Sequence, residues 1–247
     1  MSQFDPPSTS NTFNISGSSI KNLVGSGSIY DNNAIAEANN QNSQAPFPQT
    51  NSNPDLSTTP PVKTVLLLAA NPIGTDQLRL DEEVREIDAG LQRAKQHNQF
   101  LLKQRWAVRT RDVLRAMLDF KPQIVHFSGH GGGEAGLILE NETGGAKPVS
   151  AAALAGLFEL FADQVECVIL NACYSESQAE AINHYIPYVI GMNKAIGDRA
   201  AIEFAVSFYD ALGSGESIEF AYKLGCSAIR LAGIEEYLTP VLKKKSA

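Results

Sequence analysis

The chain has 247 residues, enough for one large domain or two small ones. Its 20 basic and 27 acidic residues leave a net charge of −7, and Lys243, Lys244 and Lys245 form the only basic cluster, which argues against a nucleic-acid surface as the main role. Three cysteines, Cys167, Cys173 and Cys226, show no C-x-x-C spacing and fit free thiols in a reducing compartment, so a cytoplasmic protein without a metal site is expected.

The start, MSQFDPPSTS, lacks the basic and apolar regions of a signal peptide, and no apolar run reaches membrane-spanning length, so no membrane association is expected. Residues 1–61 are rich in Ser, Asn, Gln, Thr and Pro and bury too little apolar area to offset the entropy of ordering; they read as a tail and linker. Within them, residues 11–33 depart from this. ISGSSI (Ile15 to Ile20) is echoed nine residues later by VGSGSI (Val24 to Ile29), and spaced β-branched residues among Ser, Gly and Asn suit strands stacked between chains. A plain disordered tail is the competing reading.

Residues 62–247 form the predicted folded domain. VKTVLLLAANP (Val62 to Pro72) has the continuous aliphatic character of a strand buried on both faces. Leu80, Val84, Ile87 and Leu91 then recur at helical spacing, with acidic residues early and basic ones late, as the helix dipole favours. FLLKQRWAV (Phe100 to Val108) predicts a strand, and Thr110 is placed to cap the helix RDVLRAMLDF. QIVHFSG is a strand, GLILEN (Gly136 to Asn141) with AKPVS a small hairpin, and Ser150 a cap for AAALAGLFELFA. VECVILNAC (Val165 to Cys173) and YVIGMN (Tyr188 to Asn193) are strands, and RAAIEFAVSFYDAL and SIEFAYKLGCSAI the last helices. Strand and helix in series predict a mainly parallel sheet with helices on both faces.

In such a sheet, functional groups collect at the carboxyl ends of the strands. Two of those ends carry unusual residues, HFSGHGGG and LNACYS. His126 falls inside its strand and reads as a packed histidine, whereas His130 is expected just past the strand's edge, free to swing toward a substrate, and Cys173 where an apolar run meets a polar turn. Taken singly, each has a plain structural reading, since a buried Cys behaves as a small hydrophobe. Together, a thiol and an imidazole at neighbouring strand ends make a nucleophile and a base. A side-chain-free loop at Gly131 lets its N–H, with that of Cys173, face a developing oxyanion. Cys167 and Cys226 sit in apolar patterns and read as core residues. The glycines fit no G-x-G-x-x-G frame, and no G-x-S-x-G elbow occurs, so no cofactor is expected and a serine hydrolase has no candidate.

VHFSGHG and LNACYS, on successive strands, resemble the His-Gly and Ala-Cys motifs of caspase-like cysteine peptidases, most closely the CHAT branch akin to separase. The likeness covers about Val62 to Gly233. It implies a caspase-like three-layer α/β sandwich with His130 as general base and Cys173 as nucleophile. YVIGMNKAIGDRAA is similar to a separase and CHAT stretch in which an Asp lines the pocket for the residue before the scissile bond, which implies Asp198 as receptor for Lys or Arg. Asn171 stands where many metacaspases carry a pocket Asp. Asp198 as a cap of the helix RAAIEF is the alternative. The resemblance implies an endopeptidase with a protein substrate, and residues 11–33 resemble bacterial amyloid signalling motifs, which implies a cell-death or defence effector assembled by itself or by an upstream receptor. The rivals are a catalytically inactive scaffold that binds protein partners and a flavodoxin-like ligand module.

Overall fold

A computed structural model describes residues 61–245. The expected tail and its 11–33 segment lie outside the described residues. The aliphatic runs are strands: β1 (Lys63–Ala70), β3 (Ile124–Gly131), β6 (Cys167–Asn171) and β7 (Tyr188–Met192), with β2 (Phe100–Arg105) ending three residues short of the predicted run. They form one sheet in the order β2-β1-β3-β6-β7 with all neighbours parallel. A strand the sequence pattern did not announce, β8 (Pro240–Lys244), closes the far edge antiparallel to β7. The basic cluster is thereby accounted for in part: Lys243 pairs with Glu176 at 2.8 Å and Lys244 with Glu219 at 3.6 Å.

Helices cover both faces. Along β1, Val65, Leu67 and Ala69 point to one layer and Leu66, Leu68 and Ala70 to the other. The first layer is filled by α1 (Leu80–Arg93), α5 (Asp198–Gly213) and α6 (Ile218–Leu231), with Phe204, Phe208 and Tyr209 at its centre. The second is filled by α2 (Thr110–Phe120), α3 (Ala151–Glu159) and the short, polar α4 (Glu176–Asn183). Ser150 caps α3 as expected, its Oγ accepting from Ala153 N at 3.3 Å. Thr110 does not cap α2; it is the first helical residue, and the Asp112 carboxylate accepts from Arg109 N at 3.1 Å instead.

The expected hairpin is β4 (Leu137–Glu140) with β5 (Ala146–Val149). It hangs from the end of β3, His130 pairing with Ile138 and Gly131 with Leu137. This prolongs β3 through Gly131, so His130 lies within the strand rather than past its edge. No helix among the described residues is long and apolar enough to cross a membrane.

Candidate active site

β3 and β6 are adjacent and parallel, with Ser128 opposite Asn171. Two residues beyond this pair stand His130, still within β3, and Cys173, in the turn that follows β6. Both line a narrow cavity of about 40 Å³ together with Asn171, Asp198, Glu83 and Arg79. Of the sequence-derived candidates, His130, Cys173, Asn171 and Asp198 therefore converge on one cleft at the carboxyl end of the sheet, and Gly131 is not among its lining residues.

The imidazole of His130 is half-buried and held from a third strand end. Its Nε2 lies 3.0 Å from the carbonyl oxygen of Asp76, in the loop after β1. A carbonyl only accepts, so Nε2 is the donor of this bond and Nδ1 takes no part in it. The sulfur of Cys173 sits against the loop after β7, accepting from Ile196 N at 3.4 Å with Ile196 O at 3.6 Å. Immediately beyond it, Tyr174 adopts φ 52, a left-handed conformation uncommon for a bulky residue. Its N–H donates to Lys194 O at 3.1 Å, while Ser175 Oγ donates to Leu170 O and accepts from Met192 N, both at 2.9 Å. The turn that presents the thiol is thus pinned to β6 and β7 at once.

Gly131 is packed against the backbone of Cys173. A Cβ at this position would meet Cys173 O at 1.9 Å, so glycine is required by close approach rather than by backbone angle. Gln178 of α4 steadies the glycine loop, donating to Gly133 O at 2.7 Å.

Asp198 opens α5 and lines the cavity, yet its Oδ2 also accepts from Arg79 N at 3.3 Å, at the start of α1 rather than at its own helix. Asn171 is buried, and its Nδ2 donates to Glu83 Oε1 at 2.7 Å and to Ala201 O at 3.2 Å. His126, as expected, is wholly buried: Nδ1 lies 3.1 Å from Tyr209 Oη, and Nε2 is 3.1 Å from Glu83 Oε1 but off the hydrogen-bond line. Burial pushes the Tyr209 hydroxyl well above its ordinary value, so it stands ready as a donor. Cys167 is fully buried with its thiol pushed up by desolvation, and Cys226, partly buried, shifts the same way. Among the described residues, no group of three or more His, Cys, Asp or Glu is placed to hold a metal.

Sequence reasoning missed Asp76, Ile196 and Glu83. The first two act through backbone atoms, which leave no trace in residue type. Glu83 did leave one, since it falls on the apolar stripe of α1 between Leu80 and Ile87, where a carboxylate is out of place.

Residues 27–223 match the sequence model of the CHAT domain. A Roc-COR-CHAT protease from an unknown prokaryotic organism is 28% identical over 177 residues, covering 68% of this chain and 16% of the relative. A probable protease of Gillisia limnaea is 27% identical over 173 residues, covering 68% of this chain and 30% of the relative. The chain thus spans less than a third of either. Among solved structures, a secreted C11 cysteine protease from Bacteroides thetaiotaomicron, in complex with an irreversible peptide inhibitor, superposes with a TM-score of 0.53 at 15% identity, covering 74% of this chain and 66% of that one. That likeness is one of fold, a caspase-like α/β sandwich. With the family match extending over well over half of its residues, the chain belongs to the CHAT domain family.

Proposed function

We propose that this protein is a cysteine endopeptidase with Cys173 as nucleophile and His130 as base. The observation that carries the reading is that both side chains line one cleft at neighbouring strand ends, with Nε2 of His130 held by the Asp76 carbonyl. In this scheme Nδ1 takes the proton of Sγ, and the thiolate adds to the scissile carbonyl carbon. The resulting oxyanion faces the N–H groups of Gly131 and Cys173. The alternating hydrogen bonds of the β3–β4 ladder, in which Gly132 N donates to Gly136 O, turn the Gly131 N–H away from β4 and support this placement. Collapse breaks the C–N bond, and the imidazolium protonates the leaving amine. His130 then deprotonates a water that cleaves the thioester, releasing the acid and restoring the thiol. The protease names of the two relatives and the peptide-inhibited fold neighbour support the same class.

Asp198 and Asn171 line the cavity where the side chain before the scissile bond enters, and a carboxylate there favours Lys or Arg. Leu78 and Arg79 of the loop after β1 and Ile196 of the loop after β7 form part of the cavity wall, so these side chains bound the space open to that residue. Residues 11–33 supply the activating contact, through strand stacking with a receptor or with further copies, in a bacterial cell-death or defence role. A synthetic peptide of residues 11–33 that stays monomeric and unstructured at high concentration removes that part of the proposal.

The central test is a peptide-library cleavage profile of wild type, Cys173→Ala and Asp198→Asn. Cleavage after basic residues that vanishes in Cys173→Ala and loses its basic preference in Asp198→Asn is expected. No cleavage by assembled wild type, with no His130-dependent labelling of Cys173 by a peptidyl electrophile, identifies a partner-binding scaffold instead.

A further inference from the structure

The buried face of α1 is apolar at Leu80, Val84, Ile87 and Leu91, and Glu83 is its exception, only 3% exposed. Its carboxylate accepts from groups on two different strands. The Ser128 hydroxyl of β3 donates to Oε2, the Asn171 amide of β6 donates to Oε1 at 2.7 Å, and His126 of β3 stands 3.1 Å from Oε1. Ser128 and Asn171 face each other in the β3–β6 register and form its last pair. Beyond them the two strands part, β3 turning to β4 and β6 to the Cys173 turn. His130 and Cys173 are therefore borne on strand ends that no longer share a ladder, and Glu83 ties the two strands together one pleat below them.

We propose that Glu83 is a positioning residue whose carboxylate, bridging Ser128 and Asn171, sets the spacing of His130 and Cys173. The inference rests on the reading of those two residues as the catalytic pair. It differs from a packing role in its reach: a carboxylate that merely filled space would influence stability, whereas a bridge between the two strand ends acts on reactivity through His130. Glutamine at position 83 keeps the volume but turns one acceptor into a donor, which the Ser128 hydroxyl can meet only by reversing its own hydrogen bond, so the bridge is weakened while the helix persists.

The test is alkylation of the full chain by iodoacetamide, with the rate at Cys173 read by peptide mass mapping and Cys226 as internal reference. Wild type, Glu83→Gln, His130→Ala, their double variant and Leu91→Ala are compared. In Glu83→Gln the Cys173 rate falls at least about tenfold toward that of His130→Ala, while Cys226 is unchanged. The double variant loses no more than His130→Ala alone, since both changes remove the same interaction. Leu91→Ala, on the same helix and face, lowers the melting temperature yet keeps the Cys173 rate within about twofold of wild type. Should Glu83→Gln not fold, Ser128→Ala removes one arm of the bridge and shows a smaller loss in the same direction. A Glu83→Gln rate equal to wild type, or a loss that simply adds to that of His130→Ala, overturns the proposal with the catalytic pair intact. A wild-type rate no faster than that of His130→Ala instead removes the pair itself, and Glu83's role with it.

Discussion

Alanine in place of Gly131 measures how closely the two strand ends depend on each other. The new methyl carbon is directed at backbone, 1.9 Å from Cys173 O, 2.9 Å from its carbonyl carbon and 3.1 Å from its nitrogen. Real Cβ atoms essentially never come within 3.0 Å of another heavy atom, so the strand ends must separate by about 1.1 Å, and no side-chain rotation relieves the contact. A misplacement of about 1 Å in a reacting pair costs roughly a hundredfold in rate, equivalent to about 2.7 kcal/mol of barrier. The assay is the second-order rate of Cys173 alkylation, alongside peptide cleavage. Gly156→Ala is the control: it lies on α3 with nothing within 4 Å of the added carbon, so it stabilises the fold by about 0.4–1 kcal/mol and leaves both rates unchanged. A Gly131→Ala variant that folds and reacts at the wild-type rate refutes the reasoning.

Three further outcomes are expected. Tyr209→Phe strands the buried Nδ1 of His126 and costs about 1–3 kcal/mol, seen as a melting temperature lower by several degrees; an unchanged melt contradicts the hydrogen bond. Desolvation holds the Asp210 carboxyl above its ordinary value, outweighing the attraction of Arg93. A raised folded-state value means that ionisation opposes folding, so Asp210→Asn matches wild type at pH 3 and gains stability from about pH 4 upward, whereas a pH-independent difference removes the assignment. Ser175→Ala deletes the link from the Cys173 turn to Leu170 O and Met192 N; Leu170 O keeps its bond from Ala172 N at 2.9 Å, while Met192 N loses the hydroxyl it donates to. It lowers the melting temperature and slows Cys173 alkylation together, and a change in only one of the two argues against a shared cause.

The central strands were legible because parallel strands buried on both faces write themselves as aliphatic runs, and VHFSGHG and LNACYS mark where two of those runs break off. Their adjacency followed from the order of elements, and Ser150 from its place before an apolar helix. What stayed hidden depends on distant pairing. PVLKK carries no strong strand pattern and becomes β8 through its antiparallel ladder with β7, with Tyr222 Oη donating to Pro240 O at 2.9 Å from the neighbouring helix. α4, with the sequence ESQAEAIN, is too short and polar to stand out by periodicity. Thr110 looked like a cap by residue type, but the chain enters the helix one residue earlier and Asp112 reaches back. The groups that fix His130 and Cys173 are carbonyl and amide atoms of Asp76 and Ile196, and backbone atoms are the same in every residue.

β3 belongs to two ladders at once. Its first five residues are locked between β1 and β6, and its last two are gripped by β4, whose other edge carries β5. The histidine rides on the segment held by the hairpin, while the cysteine rides on a turn fastened to β6 and β7. A load applied to the outer strand of the hairpin consequently reaches the imidazole through main-chain bonds, and reaches the thiol only through the packing of Gly131 against the Cys173 backbone. The hairpin works as a lever arm with His130 at its short end.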